Sequence, residues 1–457
     1  MFNVGRSMFI FQNNPYGINA RCEHLKNSLA RVTFGFNMAE IRPFRAWRYN
    51  DSLAQNIGEL TSPLFDVASE KQKTALYGNP YNSIHVSIPC GECPSESASN
   101  VLQKWKEEGC IQREPAPAIY FYYQYFRLPG DPSQYCRKGF ICKIRIYDWE
   151  QNVILRHENT MPGSVDDQVE LLATTRLNAS PTHGLYTDET FELEKIMDDS
   201  LQCPLCETED YQGIRDVLGI IRDPEVIERF VNIMKDKQVI LADGHHRYAG
   251  SLAYMKKQMS ANPDHNGNEN YNYHLMWLTN TEAEDLKILP THRLIKGLDY
   301  FDANSILQKF DAYFNVKPVS DPDIMPEIIA GKNWTFGLIF QDNAYQVRLK
   351  PEVHHTIKWD FPDEIKALDL TVMHYFIIQE ILGLKGKDQS RSACIEYERS
   401  FAACLTKVLR GEVQLAFITN EISISDVKTV CHSGCTLPQK STYFWPKAIC
   451  GFVFSSI

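Results

Sequence analysis

Apolar residues fall at helical spacing in three stretches of the chain. Val226, Ile227, Phe230, Val231 and Met234 form the first, behind Asp223-Pro224, a cap and first-turn pair that predicts a helix start. Ala249, Leu252, Ala253 and Met255 form the second, behind a polar turn. Between them, residues 239–242 (VILA) are a short apolar run that predicts a buried strand. The order is therefore helix, strand, polar turn, helix. Leu370, Met373, Phe376, Ile377 and Ile381 give the third stripe, an amphipathic helix with Gly383 as its C-cap. A Ser-x-x-Gln capping box at Ser69 and Gln72 predicts another helix, ended by Asn79-Pro80.

Aromatic and β-branched runs at 119–127 (IYFYYQYFR) and 140–148 (FICKIRIYD) predict two sheet strands. The alternation at 83–88 predicts a strand, as do 271–278 and 286–294. Residues 334–340 and 344–349 predict a hairpin, and 413–417 and 436–454 predict strands and turns. The acid-rich stretch 189–213 reads as a surface connection, 260–270 as a loop, and 299–329 as a helical segment and a turn. The expected fold class is α+β, with mixed sheets and packed helices. The expected division is an N-terminal extension at 1–37, a core at 38–297 and a C-terminal α/β region at 298–457. Met38 is the expected natural start, or 1–37 a poorly ordered extension.

Composition narrows the class. The 457 residues include 44% hydrophobic and 23% charged residues, ordinary for a folded chain. Lys plus Arg is 47 against 57 Asp plus Glu, a net charge of −10, which does not suit a protein that grips nucleic acid. No window reaches the roughly 18 uninterrupted apolar residues of a membrane span; 368–384 is broken by Asp369, His374, Gln379 and Glu380. There is no secretory signal pattern. The 13 cysteines, an odd number spread over the chain, read as reduced thiols of a cytoplasmic protein.

The strongest chemical feature is 241–248, LADGHHRY. A buried strand runs into a turn at Gly244, and a helix starts directly after. The first N–H groups of a helix lack internal partners and its dipole favours negative charge. Gly244 permits close approach, and His245, His246 and Arg247 add donors, which together suit a phosphate or carboxylate. Asp243 is placed to orient a histidine or to hold Mg²⁺. The bland alternative is an Asp-Gly helix start with solvated His and Arg. A second cluster, 437–447 (LPQKSTYFWPK), brings Lys440, Ser441, Thr442 and Lys447 into a loop stiffened by Pro438 and Pro446. His292 and Arg293 on a strand are further donors. Asp66 and Glu70, four apart at an element boundary, are candidates for general base on a hydroxyl; capping is the alternative. His157-Glu158 and the pair Arg42 and Arg45 are weaker candidates of the same kind.

Cys90 and Cys93, Cys203 and Cys206, and Cys431 with Cys435 have metal-site spacing, but the CxxC pairs lie over a hundred residues apart, so zinc is not expected. G-x-x-x-x-G-K-[ST], G-x-G-x-x-G, H-E-x-x-H and G-x-S-x-G are all absent.

From near Met38 onward the chain resembles the bacterial domain-of-unknown-function family "ten-fifteen". The resemblance is carried by IRPFRAWRY, SPLFDV, NPYNSIHVSIP, ADGHHRYAG, LPTHRLI and PQKSTYFWPK. The D-G-H-H-R turn after a strand is more distantly similar to the ligand-binding turn of the ParB/sulfiredoxin superfamily. That superfamily includes nucleotide-dependent free serine kinases, CTP-binding partition proteins and sulfiredoxins. His245 and His246 stand where sulfiredoxin has its cysteine, which argues against that chemistry. The serine kinase branch implies a ParB-like core around the turn and phosphate held there, with ADP or ATP as possible cofactor and an acidic N-terminal residue serving the hydroxyl.

The expected function is phosphotransfer on a small phosphorylated metabolite, with free serine or phosphoserine first. Gly244, His245, His246 and Arg247 would cradle phosphate, and Lys440, Ser441, Thr442 and Lys447 would close over it, joined by His292 and Arg293. Asp66 or Glu70 would act as base. The alternatives are a non-catalytic nucleotide- or phosphate-binding regulator and a zinc-stabilised structural protein. No nucleic-acid or membrane partner is expected, and oligomeric state is left open.

Overall fold

The computed structural model describes residues 39–64, 68–201, 204–385, 393–438 and 440–457. It is a mixed α/β architecture with several sheets and packed helices. The chain divides into two compact units. The first takes the described residues up to 156, then 160–287 and 444–457; the second takes 157–159 and the described residues of 288–443. The extension before Ala39 lies outside the described residues.

The first unit is built on a nine-stranded sheet. Its strands are β1 (Ile41–Arg42), β2 (Tyr120–Phe126), β3 (Tyr135–Arg145), β4 (Ile154–Arg156), β5 (Thr182–Tyr186), β6 (Cys206–Glu209), β7 (Arg215–Leu218), β8 (Val239–Asp243) and β9 (Tyr273–Asn280). The order is β4-β8-β5-β9-β3-β2-β7-β6, with β1 beside β3. The pairs β8–β4 and β9–β5 are parallel and the rest antiparallel. Both faces are covered, so the central strands are apolar on both sides rather than alternating. One face packs Phe121, Phe140, Met276 and Leu278 against helices α4 (Glu192–Asp199), α5 (Pro224–Met234) and α6 (His245–Ala261). The other packs Tyr122, Ile141, Leu275 and Trp277 against Leu102 and Trp105 of α2 (Pro94–Glu107) and Phe452 to Phe454 of the tail. Helix α3 (Pro162–Thr175) lies on α6, where Gly250 lets the two close: a Cβ there would meet Gln168 Cβ at 2.5 Å.

The second unit holds a six-stranded antiparallel sheet. Its strands are β10 (His292–Ile295), β11 (Phe314–Val319), β12 (Thr335–Ile339), β13 (Ala344–Leu349), β14 (Ile395–Glu398) and β15 (Leu415–Ile418), in the order β11-β13-β12-β15-β10-β14. The hairpin expected at 334–349 is β12 and β13.

Several local expectations differ from the structure, among them 299–329, which holds the strand β11 between its helices and not only a helical segment and a turn. Residues 83–88 hold a short helix, Ile84–Ser87, because Asn82 Oδ1 accepts from Ile84 N–H (2.9 Å) and starts a helical turn that overrides the alternation. The stretch 189–213 is not only a connection: it carries α4, whose Leu193, Ile196 and Met197 enter the core, and β6. The stripe at 370–381 is buried nearly all round and has π-helical geometry over Met373–Ile381. By contrast α1 (Glu70–Tyr77) starts at the expected capping box, with Ser69 and Gln72 bonding reciprocally.

Candidate functional site

Strand β8 ends on Asp243, and Gly244 turns the chain into α6. Gly244 has φ +88° and supplies no side-chain cap to the helix. A Cβ at this position would meet Thr182 Cγ2 at 2.6 Å and Arg247 Nη2 at 2.9 Å. The turn thus needs glycine for conformation and for space. Gly244→Ala should cost about 2 kcal/mol or more, since left-handed backbone alone costs about 1–2 kcal/mol for a residue with a Cβ. A thermal midpoint several degrees lower checks this; an unchanged midpoint contradicts it.

Asp243 is held by two cations. Arg247, one turn into α6, places Nη2 2.8 Å from Oδ2, and Lys447 of the tail donates to Oδ1. The side chains are 15%, 18% and 9% exposed for Asp243, Arg247 and Lys447. Burial would raise the Asp243 carboxyl, but Lys447 and Arg247 outweigh it and hold the carboxyl well below its usual range. Arg247 Nη1 also donates to the Pro181 carbonyl (2.6 Å) and Ser180 Oγ (3.1 Å).

Behind this group runs a buried polar chain that sequence reasoning missed. His183 lies opposite Asp243 on β5, stacks on Trp277 (4.5 Å between centroids) and bonds Thr279 Oγ1 at 2.8 Å. Burial, with Arg137 and Lys447 adding, keeps His183 neutral well below its usual range, against the pull of Asp243. Arg137 lies with its guanidinium 4.8 Å from the Trp277 ring centroid and donates to Gln124 Oε1 and the Pro446 carbonyl. Gln124 Nε2 in turn donates to the Lys447 carbonyl (3.0 Å) and to Asp216 Oδ1 (2.8 Å). Burial lifts the Asp216 carboxyl to about 7. The chain therefore carries three cations, Arg137, Arg247 and Lys447, against two carboxylates, one of them neutral at mildly acidic pH. Asp216 beside the apolar pair Val217-Leu218 is a readable sign; one His in a buried strand is not.

The other expected residues are distributed as follows. His245 is buried at the start of α6. His246 Nε2 accepts from Met161 N–H at 3.0 Å. Glu70 is exposed on the first turn of α1 and pairs with Lys73 at 2.7 Å, a helix-end role; Asp66 lies outside the described residues. Mg²⁺ at Asp243 does not fit this donor set, because its single carboxylate is already engaged by two cations and the three groups together are net positive. Among the described residues no group of three His, Cys, Asp or Glu is placed to hold a metal ion; Cys203 lies outside them.

The second unit gathers its own cluster. His157 is fully buried, and its Nε2 lies 2.8 Å from Thr442 Oγ1. Leu437 N–H donates to the His157 carbonyl (2.7 Å), and Asn159 Nδ2 donates to Thr436 Oγ1 (2.9 Å). These bonds pin the Lys/Ser/Thr loop within this unit. Ser441 is buried and donates to the Pro438 carbonyl, whereas Lys440 is exposed. His292 and Arg293 are buried on β10, not presented on an open strand face. Burial and the adjacent Arg293 push His292 down to about 4, so it is neutral, and its Nδ1 accepts from Thr419 N–H (3.3 Å). Arg293 donates to the Thr291 carbonyl, while its Nε and Nη2 have no hydrogen-bond partner among the described residues.

Among the described residues no helix is long and apolar enough to cross a membrane. The family model described as "Protein of unknown function (DUF1015)" matches residues 41–371. No curated protein matches the sequence. Three solved structures show a distant likeness. A conserved hypothetical protein from Pyrococcus furiosus is 15% identical, covering 65% of this chain and 90% of its own, with a TM-score of 0.32. A free serine kinase in complex with AMP is 13% identical over 64% and 83%, TM-score 0.32. SbnI with a C-terminal truncation, from Staphylococcus aureus, is 10% identical over 68% and 86%, TM-score 0.32.

Proposed function

This chain belongs to the family "Protein of unknown function (DUF1015)", and we propose that it is a phosphotransfer enzyme acting on a small phosphorylated metabolite. The observation that carries the reading is the pairing of Lys447 and Arg247 on Asp243 at the start of α6. Two cations are held in place before any ligand arrives, beside the positive end of a helix dipole. Transfer of a phosphoryl group is mainly positioning and charge neutralisation, and both are pre-set by this arrangement. An incoming phosphate would exchange for the carboxylate on one or both cations, and His183 would stay neutral beneath it.

Free serine and phosphoserine are the first substrate pair to test, because the turn at 243–247 resembles that of the free serine kinase branch in sequence. The test is phosphorus NMR of the protein with phosphoserine and Mg²⁺, with and without ADP, AMP or pyrophosphate. Loss of the phosphoserine signal is the expected result, and the new resonance identifies the acceptor. Arg247→Ala should abolish turnover while circular dichroism keeps its native shape. Undiminished turnover in that variant removes the site from the mechanism.

A second reading is favoured by the directness of the same ion pairs. With Asp243 already paired to both cations, phosphate or nucleotide binding serves regulation in this reading, displacing the carboxylate without turnover. An unchanged phosphorus spectrum with every acceptor, together with nucleotide binding, decides for it.

A further inference from the structure

We propose that the first unit carries a second anion site, separate from the one around Asp243, which binds a small multivalent oxyanion of the phosphate or diphosphate class in a cavity walled by Arg42, Arg45, Arg113 and Lys143.

The cavity measures about 170 Å³ and is also lined by Asn270 and Tyr273; among the described residues no acidic side chain lines it. In a chain of net charge −10, four cations around one cavity invert the local sign. The sheet register makes the clustering harder to explain structurally. Arg42 on β1 is paired directly opposite Lys143 on β3. Like charges opposite one another in a sheet are destabilising. A rule broken at a cavity, with cost and no internal compensation for Lys143, points to a ligand that supplies the negative charge.

The partners present do not supply it. Lys143 Nζ donates to the Ser456 carbonyl (2.7 Å) and Asn270 Oδ1 (3.2 Å), both neutral. It is 7% exposed, and burial with Arg113 and Arg42 pushes its amine down to about 8. Arg45 Nε donates to the Glu114 carbonyl at 2.7 Å, while the Glu114 carboxylate is engaged by Arg48 and Arg222. Among the described residues Glu40 is the acid paired with a lining cation: it bonds Arg42 at 2.8 Å, and it is shared with Arg145. Arg42 is also oriented by Tyr273, its guanidinium 4.3 Å from the ring centroid. Arg113 lines the cavity and is exposed.

The two sites are distinct on the sheet. From Asp243 the ladder runs through β5 and β9 to β3, where Ile141 is in register and Lys143 lies two residues further on. Three strand spacings put Lys143 about 14 Å away across the sheet.

Calorimetric titration of the full chain with inorganic pyrophosphate tests this. Binding is expected in the wild type and in Arg247→Ala. Lys143→Met, which keeps the volume of the stem, should weaken it at least tenfold, and so should Arg113→Ala, an exposed change that leaves the fold intact. A parallel titration with AMP asks whether the phosphate is taken as an ester; binding of either probe that is lost in both variants supports the site. No binding in the wild type overturns the proposal. So does binding unchanged in both Lys143→Met and Arg113→Ala, or binding lost in Arg247→Ala alone, which would place the anion at Asp243.

Discussion

Replacing Asp243 with Ala is expected to lower stability by about 3–5 kcal/mol, the usual cost of removing one partner from a buried ion pair. The loss is not the strength of the contacts removed. It is the cost of leaving Lys447 and Arg247, 9% and 18% exposed, without a counter-charge. Lys447→Met in the same background should recover part of it, because a buried cation that has been removed no longer needs compensation. The pH dependence follows from the low carboxyl. A carboxylate depressed on folding contributes its stability in full above its unfolded value, about pH 4, and loses it as pH falls toward the folded value. The gap between wild type and Asp243→Ala should be constant near neutrality and should close only in acid. Denaturant unfolding at several pH values measures both. A gap under about 1 kcal/mol near neutrality would mean that the group is solvated like a surface pair.

Local chemistry made much of the fold legible. Asp223 caps α5 through Glu225 and Val226 N–H, and the apolar stripe behind it buries Phe230 and Met234. The strand at 239–243 and the helix after Gly244 follow the same logic, and the turn could be read as a site because strand, glycine and cations are adjacent in sequence. What joins that turn to the rest was not legible. Lys447 is 204 residues from Asp243, and periodicity reports a residue's own element, not its partner across the fold. Lys447 and Thr442 read as one loop, yet residues from 444 onward return to the first unit while Thr442 bonds His157 in the second. A segment of mixed polar and aromatic residues gives no sign of where it changes sides. The helix at 84–87 is not legible in the apolar pattern because an Asn side chain decides the conformation there.

Asp216→Asn is expected to act in the opposite sense to Asp243→Ala and to stabilise the protein at alkaline pH. Asp216 is 2% exposed and accepts from Tyr122 Oη (2.6 Å) and Gln124 Nε2 (2.8 Å). Burial is the dominant effect and Asp210 adds to it; the two hydrogen bonds and Arg137 only partly offset them, so the carboxyl sits at about 7 instead of 3.8. A carboxyl raised on folding favours the native state while protonated and loses that advantage as pH climbs from the unfolded value to the folded one. A rise of roughly three pH units corresponds to about 4 kcal/mol between about pH 4 and pH 8. The Asn variant keeps the acceptor oxygen and cannot ionise. Its stability should stay nearly level over that range, match wild type in acid and exceed it at about pH 8. A variant less stable than wild type at both ends would mean that the ionised carboxylate is the better-compensated form. The same titration reaches the site, because Gln124 bonds both Asp216 and the Lys447 carbonyl. With Asp216 neutral, three cations face one carboxylate; once it ionises they face two. Anion binding at Asp243 should therefore weaken through neutrality in the wild type and stay level in Asp216→Asn.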